Sequence, residues 1–122
     1  VRLNHVTLSV SDLKRSQAFY LALGLHLIVD SLHYNRFVCP DGDSTFSIHI
    51  ADQVVPGTTV IYFECDNLDT TVADLLAAGI VFDQPPTDQR WLWREAYLRD
   101  PDGHRICLFC AGENRLNPPW RV

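Results

Sequence analysis

The chain has 122 residues, 47% hydrophobic and 20% charged, enough apolar material for one ordinary folded domain and too much for a disordered polypeptide. Its formal charge of −5 argues against a nucleic-acid or anionic-membrane partner, because both repel an acidic surface. No apolar run approaches the ~20 residues of a membrane span and no signal peptide is visible, so a cytoplasmic protein that handles a neutral or cationic small molecule is expected. The lack of Met fits a start trimmed by processing or by choice of boundaries.

Residues 3 to 10 alternate, with Val6, Leu8 and Val10 on one side and His5, Thr7 and Ser9 on the other, the pattern of a strand with one apolar face. Ser11 and Asp12 supply N-cap oxygens for a helix over 13 to 23, and Gly24 ends it. Strands are predicted over 25–30, 34–39 and 45–50, with Asp41-Gly42 as a turn signal. In the last of these, Phe46, Ile48 and Ile50 share the helix-packing face, leaving Ser47 and His49 on the other. Residues 51–58 carry a Pro-Gly pair and read as a linker. A strand over 59–65, a helix over 68–78 capped by Asn67 and closed by Gly79, and a short strand near 80–83 follow. Pro85-Pro86 marks 84–89 as a surface loop, and then come a long strand over about 92–99, the Asp100-Pro101-Asp102-Gly103 turn and a last strand over 104–110. Residues 112–122 form a tail without periodicity, in which Trp120 is a candidate for a lid.

The two halves repeat. Asn4 to Leu13 is echoed by Thr59 to Leu68 at a constant offset of 55 residues, which also carries Gly24 onto Gly79, and Pro40-Asp41-Gly42 recurs as Pro101-Asp102-Gly103. A duplication of this size implies two similar supersecondary units, each β-α-β-β-β, with module 1 over about 1–51 and module 2 over about 58–111 of one domain. The four cysteines (Cys39, Cys65, Cys107 and Cys110) lack the paired doublets of a zinc site, and buried free thiols in a reducing compartment are expected. In the stretch 91–99, period 2 places Trp91, Trp93, Glu95, Tyr97 and Arg99 on one side. Two indoles, a carboxylate and a phenol suit an aromatic or cationic ligand, and equally suit a dimer contact.

The opening Asn-His-Val-Thr-Leu-Ser-Val-Ser-Asp-Leu, the Ser-Gln-Ala-Phe-Tyr-Leu-Ala-Leu-Gly-Leu helix end and the Asp-Pro-Asp-Gly-His-Arg-Ile turn resemble the vicinal oxygen chelate superfamily, which includes glyoxalase I, bleomycin-resistance proteins and extradiol dioxygenases. The resemblance implies an α+β fold whose paired modules form a cupped, half-barrel mixed sheet with the helices outside. It also implies a small-molecule cavity, a homodimer, and in many members a divalent metal (Zn, Ni, Mn or Fe).

On that resemblance, His5 takes the first-module ligand position, and Ser47 or His49 the second, with His49 the competent donor. Val60 stands in the second-module histidine position and Cys107 where glutamate is typical, so His5, His49 and Cys107 are the metal candidates. Glu64 shares the Val60 face but lies four residues along, roughly 13 Å at ~3.3 Å per residue, and reads as a strand-end polar residue. His33 and His104 read as surface residues. Two functions stay open. One is a metal-assisted lyase, isomerase or dioxygenase; the other is a metal-free protein that sequesters a drug or metabolite in an acidic, Trp-lined groove.

Overall fold

The computed structural model describes Val1–Val122. Its order is β1 (His5–Val10), α1 (Leu13–Ala22), β2 (His26–Asp30), β3 (Tyr34–Val38), β4 (Thr45–Ile50), β5 (Val60–Glu64), α2 (Leu68–Ala77), β6 (Phe82–Asp88), β7 (Arg94–Arg99), β8 (Arg105–Cys110) and a short 3₁₀ turn, Gly112–Arg115. This is the α+β pattern of two β-α-β-β-β modules. The strands form two four-stranded mixed sheets, ordered β1-β4-β3-β2 and β5-β8-β7-β6. The chain divides into two compact units: Val1–Pro56 with Asp100–Asp102, and Gly57–Arg99 with Gly103–Val122.

The local signals repeat in both units. The side chain of Asp12 accepts the Arg15 N–H, and Asn67 accepts that of Thr70, so each helix begins on a satisfied donor. Each helix ends on a glycine at positive φ, Gly24 at 102° and Gly79 at 91°. The residue after it bonds back to the last turn, Leu25 N–H to the Tyr20 carbonyl and Ile80 N–H to that of Leu75. A side chain at either glycine would strain this C-cap.

In the first unit, the parallel pair β1/β4 and the antiparallel strands β3 and β2 bury Val10, Phe37, Phe46 and Ile48 beneath α1. Tyr20 of α1 is fully buried, with its ring 4.6 Å from Phe46 and 6.1 Å from Phe37. Its hydroxyl donates to the Asp100 carboxylate at 2.8 Å. Asp102 accepts the backbone N–H and the hydroxyl of Ser11. In the second unit, Leu68, Val72 and Leu75 of α2 belong to a core that includes Ala96, Leu98, Ile106 and Leu108.

Two boundaries differ from the sequence expectation. Residues 84–89, expected as a loop, mostly belong to β6, which tolerates Pro85-Pro86 because it is an edge strand with register shifts at Phe82/Gln84 and Gln84/Thr87. The long strand expected from 92 begins at Arg94, because the chain turns over Gln89–Trp93 and Leu92 adopts φ 68°. A leucine in this left-handed region costs about 1–2 kcal/mol. Its side chain is nearly half exposed, so Leu92→Gly is expected to raise stability by about 1 kcal/mol in thermal unfolding, whereas Leu92→Val lowers it.

Candidate functional site

The face of the first sheet that turns away from α1 carries a row of polar residues. His5 and Thr7 of β1 stand beside Thr45 and Ser47 of β4, and Tyr34 and Arg36 of β3 complete the row. His5 Nδ1 lies 2.6 Å from Thr45 Oγ1; its Nε2 lies 3.1 Å from Thr7 Oγ1 and 3.3 Å from Ser47 Oγ. Ser47 Oγ meets Tyr34 Oη at 2.6 Å, and Arg36 Nε donates to Tyr34 Oη at 2.8 Å. Thr45 donates its hydroxyl proton to the Asn4 carbonyl. Thr45 gives its proton to Asn4, so His5 Nδ1–H donates to Thr45, and the single lone pair of Nε2 accepts from Thr7 or Ser47 in turn while Tyr34 donates to Ser47. The Ser47 hydroxyl, which can turn to donate to a phenolate, holds Tyr34 below its ordinary value, and Arg36 acts in the same direction.

His49 is not part of this cluster. It pairs with Ser9, four register positions from the His5↔Thr45 pair, and its Nε2 meets Ser9 Oγ at 3.2 Å. That spacing is roughly 13 Å along the strands, too far for His5 and His49 to grip one ion. The two modules pair alike, His5↔Thr45 and Val60↔Arg105, so the β4 counterpart of Cys107 is Ser47 and that of His49 is Phe109.

Cys107 is fully buried in the second unit, grouped with Phe109 and Ala111 and packed against Val60, Trp93 and Tyr97. Burial, and then the neighbouring Glu95, push its thiol up to about 12. A protonated, enclosed thiol is a poor metal ligand, because the ligating form is the thiolate. The donors around His5 are neutral hydroxyls, and nowhere do three His, Cys, Asp or Glu side chains gather to hold an ion. The residues present therefore do not fit the divalent metal that the resemblance implies. All four cysteines are free. At pH 8 an ordinary alkylating agent such as iodoacetamide is expected to modify Cys107 far more slowly than the half-buried Cys39, Cys65 and Cys110, as peptide mapping would show.

The aromatic residues do converge. Glu95 of β7 is 1% exposed, yet both its carboxylate oxygens are engaged: Trp91 Nε1 donates at 3.2 Å and Tyr97 Oη at 2.9 Å. Tyr97 Oη also meets Tyr62 Oη at 3.3 Å, and burial leads the causes that hold its phenol far above the ordinary range. Trp91 lies in the turn before β7, and its indole still reaches Glu95. Trp93 is placed differently. It stacks on Phe109 with ring centres 4.7 Å apart and meets Tyr62 edge-on. Arg99 forms a bidentate pair with Asp83 at 3.0 and 3.1 Å.

Trp91, Glu95 and Tyr97 line a groove of about 460 Å³ with Gln84, Gln89 and Arg105. The Arg105 guanidinium carbon sits 6.0 Å from the Tyr97 ring centre. A neighbouring groove of about 530 Å³ includes Leu92, Trp93, Arg94 and Ala111, but its arginine is already bound to Asp69 and Asp88. Of the other candidates, Glu64 closes β5 in an ion pair with Arg115, His33 is exposed, His104 is half-buried and Trp120 is exposed on the tail. Sequence reasoning missed Tyr34, Arg36 and Arg105. Only Arg105 left a usable signal, since it lies two residues before Cys107 on the same face of β8.

The fold recurs in solved structures. A glyoxalase/bleomycin resistance protein/dioxygenase from Nocardioides is 23% identical, with 100% of this chain and 89% of that chain covered at a TM-score of 0.78. A family enzyme of the same description from Burkholderia phytofirmans PsJN is 19% identical, covering 91% and 99% at 0.77. Lactoylglutathione lyase from Agrobacterium tumefaciens is 19% identical, covering 89% and 92% at 0.75. At these identities the likeness speaks for the fold alone. No curated protein matches the sequence. The family model of the Glyoxalase/Bleomycin resistance protein/Dioxygenase superfamily matches residues 2–108, and the chain belongs to that superfamily.

Proposed function

We propose that this protein binds a small aromatic molecule without a metal, in the groove lined by Trp91, Glu95 and Tyr97. The observation that carries the reading is the capped carboxylate of Glu95, whose two oxygens fix an indole and a phenol in place. Walls held this way lose little freedom when a ring packs against them, which favours binding. A volume of about 460 Å³ is within the range of small-molecule pockets. The alternative of a metal-assisted enzyme finds less support in the donor set around His5, His49 and Cys107.

Titration of EDTA-treated protein with phenylacetamide, followed by indole and backbone amide NMR shifts, tests the proposal. Saturation is expected, about tenfold weaker in Trp91→Ala, with no change on adding Zn, Ni, Mn or Fe. Binding that appears only after a metal is restored, or that Trp91→Ala leaves unchanged, would remove this groove as the site.

A further inference from the structure

We infer, resting on the reading of the Trp91–Tyr97 groove as a ligand site, that the ligand is an aromatic carboxylate whose acid group is received by Arg105. Three charged side chains line the groove, Asp83, Glu95 and Arg105. Asp83 and Arg99 neutralise each other in their bidentate pair. Glu95 is spent on Trp91 and Tyr97 and is covered by them. Arg105 is exposed, takes part in no ion pair, and lies over the face of Tyr97. The one charged group of the groove that is exposed and outside an ion pair is therefore the Arg105 guanidinium, although the whole chain carries −5.

Local charge outweighs net charge here, because exposed charges beyond about 8 Å are screened at physiological salt while the guanidinium acts at contact. The register adds a second reason. Arg99 and Arg105 face each other directly across β7 and β8, a like-charge pairing that destabilises a sheet. Asp83 relieves Arg99; an anion in the groove relieves Arg105. A single guanidinium matches a single carboxylate, whose two oxygens take its parallel N–H donors, whereas a phosphate dianion would leave excess negative charge beside Asp83 and Glu95. Arg105 is anchored on β8, an interior strand, and lies over Tyr97, so a ring packed on Tyr97 and Trp91 can present its acid group to it.

Three matched probes decide the matter: phenylacetate, phenylacetamide and phenethylamine, titrated against wild type, Arg105→Gln and Arg105→Lys by NMR shifts. Phenylacetate is expected to bind about threefold to tenfold tighter than phenylacetamide in wild type, with phenethylamine weakest. Arg105→Gln should erase that advantage, bringing the phenylacetate and phenylacetamide affinities together, while Arg105→Lys retains part of it. Equal binding of phenylacetate and phenylacetamide by wild type, which needs no variant to fold, would overturn the inference; so would an advantage that survives in Arg105→Gln. If phenylacetamide binds and Trp91→Ala weakens it but no charge preference appears, the aromatic groove stands and the carboxylate falls. If none of the three binds, both fall.

Discussion

Tyr20→Ala is expected to lower the unfolding free energy by about 3–5 kcal/mol, the range for removing a large buried aromatic side chain. Tyr20 is fully buried against Phe19, Phe37 and Phe46, so its loss opens a cavity in the first unit's core. It also strips Asp100, itself almost fully buried, of the hydroxyl at 2.8 Å. Tyr20→Phe separates the two effects: it keeps the ring and is expected to cost about 1–2 kcal/mol, the loss of one hydrogen bond to a buried carboxylate that still accepts the Asp102 N–H. Urea denaturation of both variants checks the order. Burial first, and then the Asp100 charge, raise the Tyr20 phenol far above its ordinary 10.0. A group raised in the folded state contributes stability that is fully present below its unfolded pKa and is lost as pH climbs above it. Wild-type stability should therefore fall above about pH 10, and less steeply in Tyr20→Phe. Parallel slopes would show that other groups govern the alkaline limb.

Glu95→Ala should have the largest effect on the groove. The substitution removes the common acceptor of Trp91 and Tyr97, leaving the Trp91 N–H unpaired and Tyr97 with only Tyr62. A fall in stability of about 2–3 kcal/mol is expected from the unpaired donors and the vacated volume. Aromatic ligand affinity should drop about tenfold or more as the walls lose their fixed orientation. Glu95→Gln, which keeps the shape and one acceptor oxygen, should retain most of the stability and lose less affinity. The Trp91 indole resonance reports the change directly: in Glu95→Ala it should move toward the position of a solvent-exposed indole. An unmoved resonance with intact binding would mean that Glu95 does not organise the groove.

Much of this was legible in the sequence because the information is local and repeated. The caps at Asp12 and Asn67 and the terminal glycines Gly24 and Gly79 declare both helices, and the alternation in β1, β4 and β7 declares their faces. Glu95 and Tyr97 were found by the same period of two. What escaped was set by neighbours. Proline is a sound loop signal in isolation, and only the edge position of β6 lets Pro85-Pro86 lie in a strand. Alternation shows that Ser47 and His49 share a face but not which of them stands beside His5; strand register decides for Ser47. Net charge suggested a neutral or cationic ligand, whereas the Asp83–Arg99 pair and the burial of Glu95 leave a positive group exposed in the groove.

The parallel pairing that closes each sheet has a kinetic side. His5↔Thr45 and Val60↔Arg105 join residues roughly 40 to 45 positions apart, whereas β3/β4 and β7/β8 are local hairpins. Closing a loop of that length costs about 3 kcal/mol of chain entropy before any contact repays it. The hairpins should therefore form first, and the strand that opens each unit should dock last. Pulse-labelling hydrogen exchange during refolding would show β3 and β4 amides protected ahead of β1, and β7 and β8 ahead of β5. His5 would then acquire its Thr45 and Ser47 partners only in the final step of assembly, so that face cannot be built before its unit is otherwise complete.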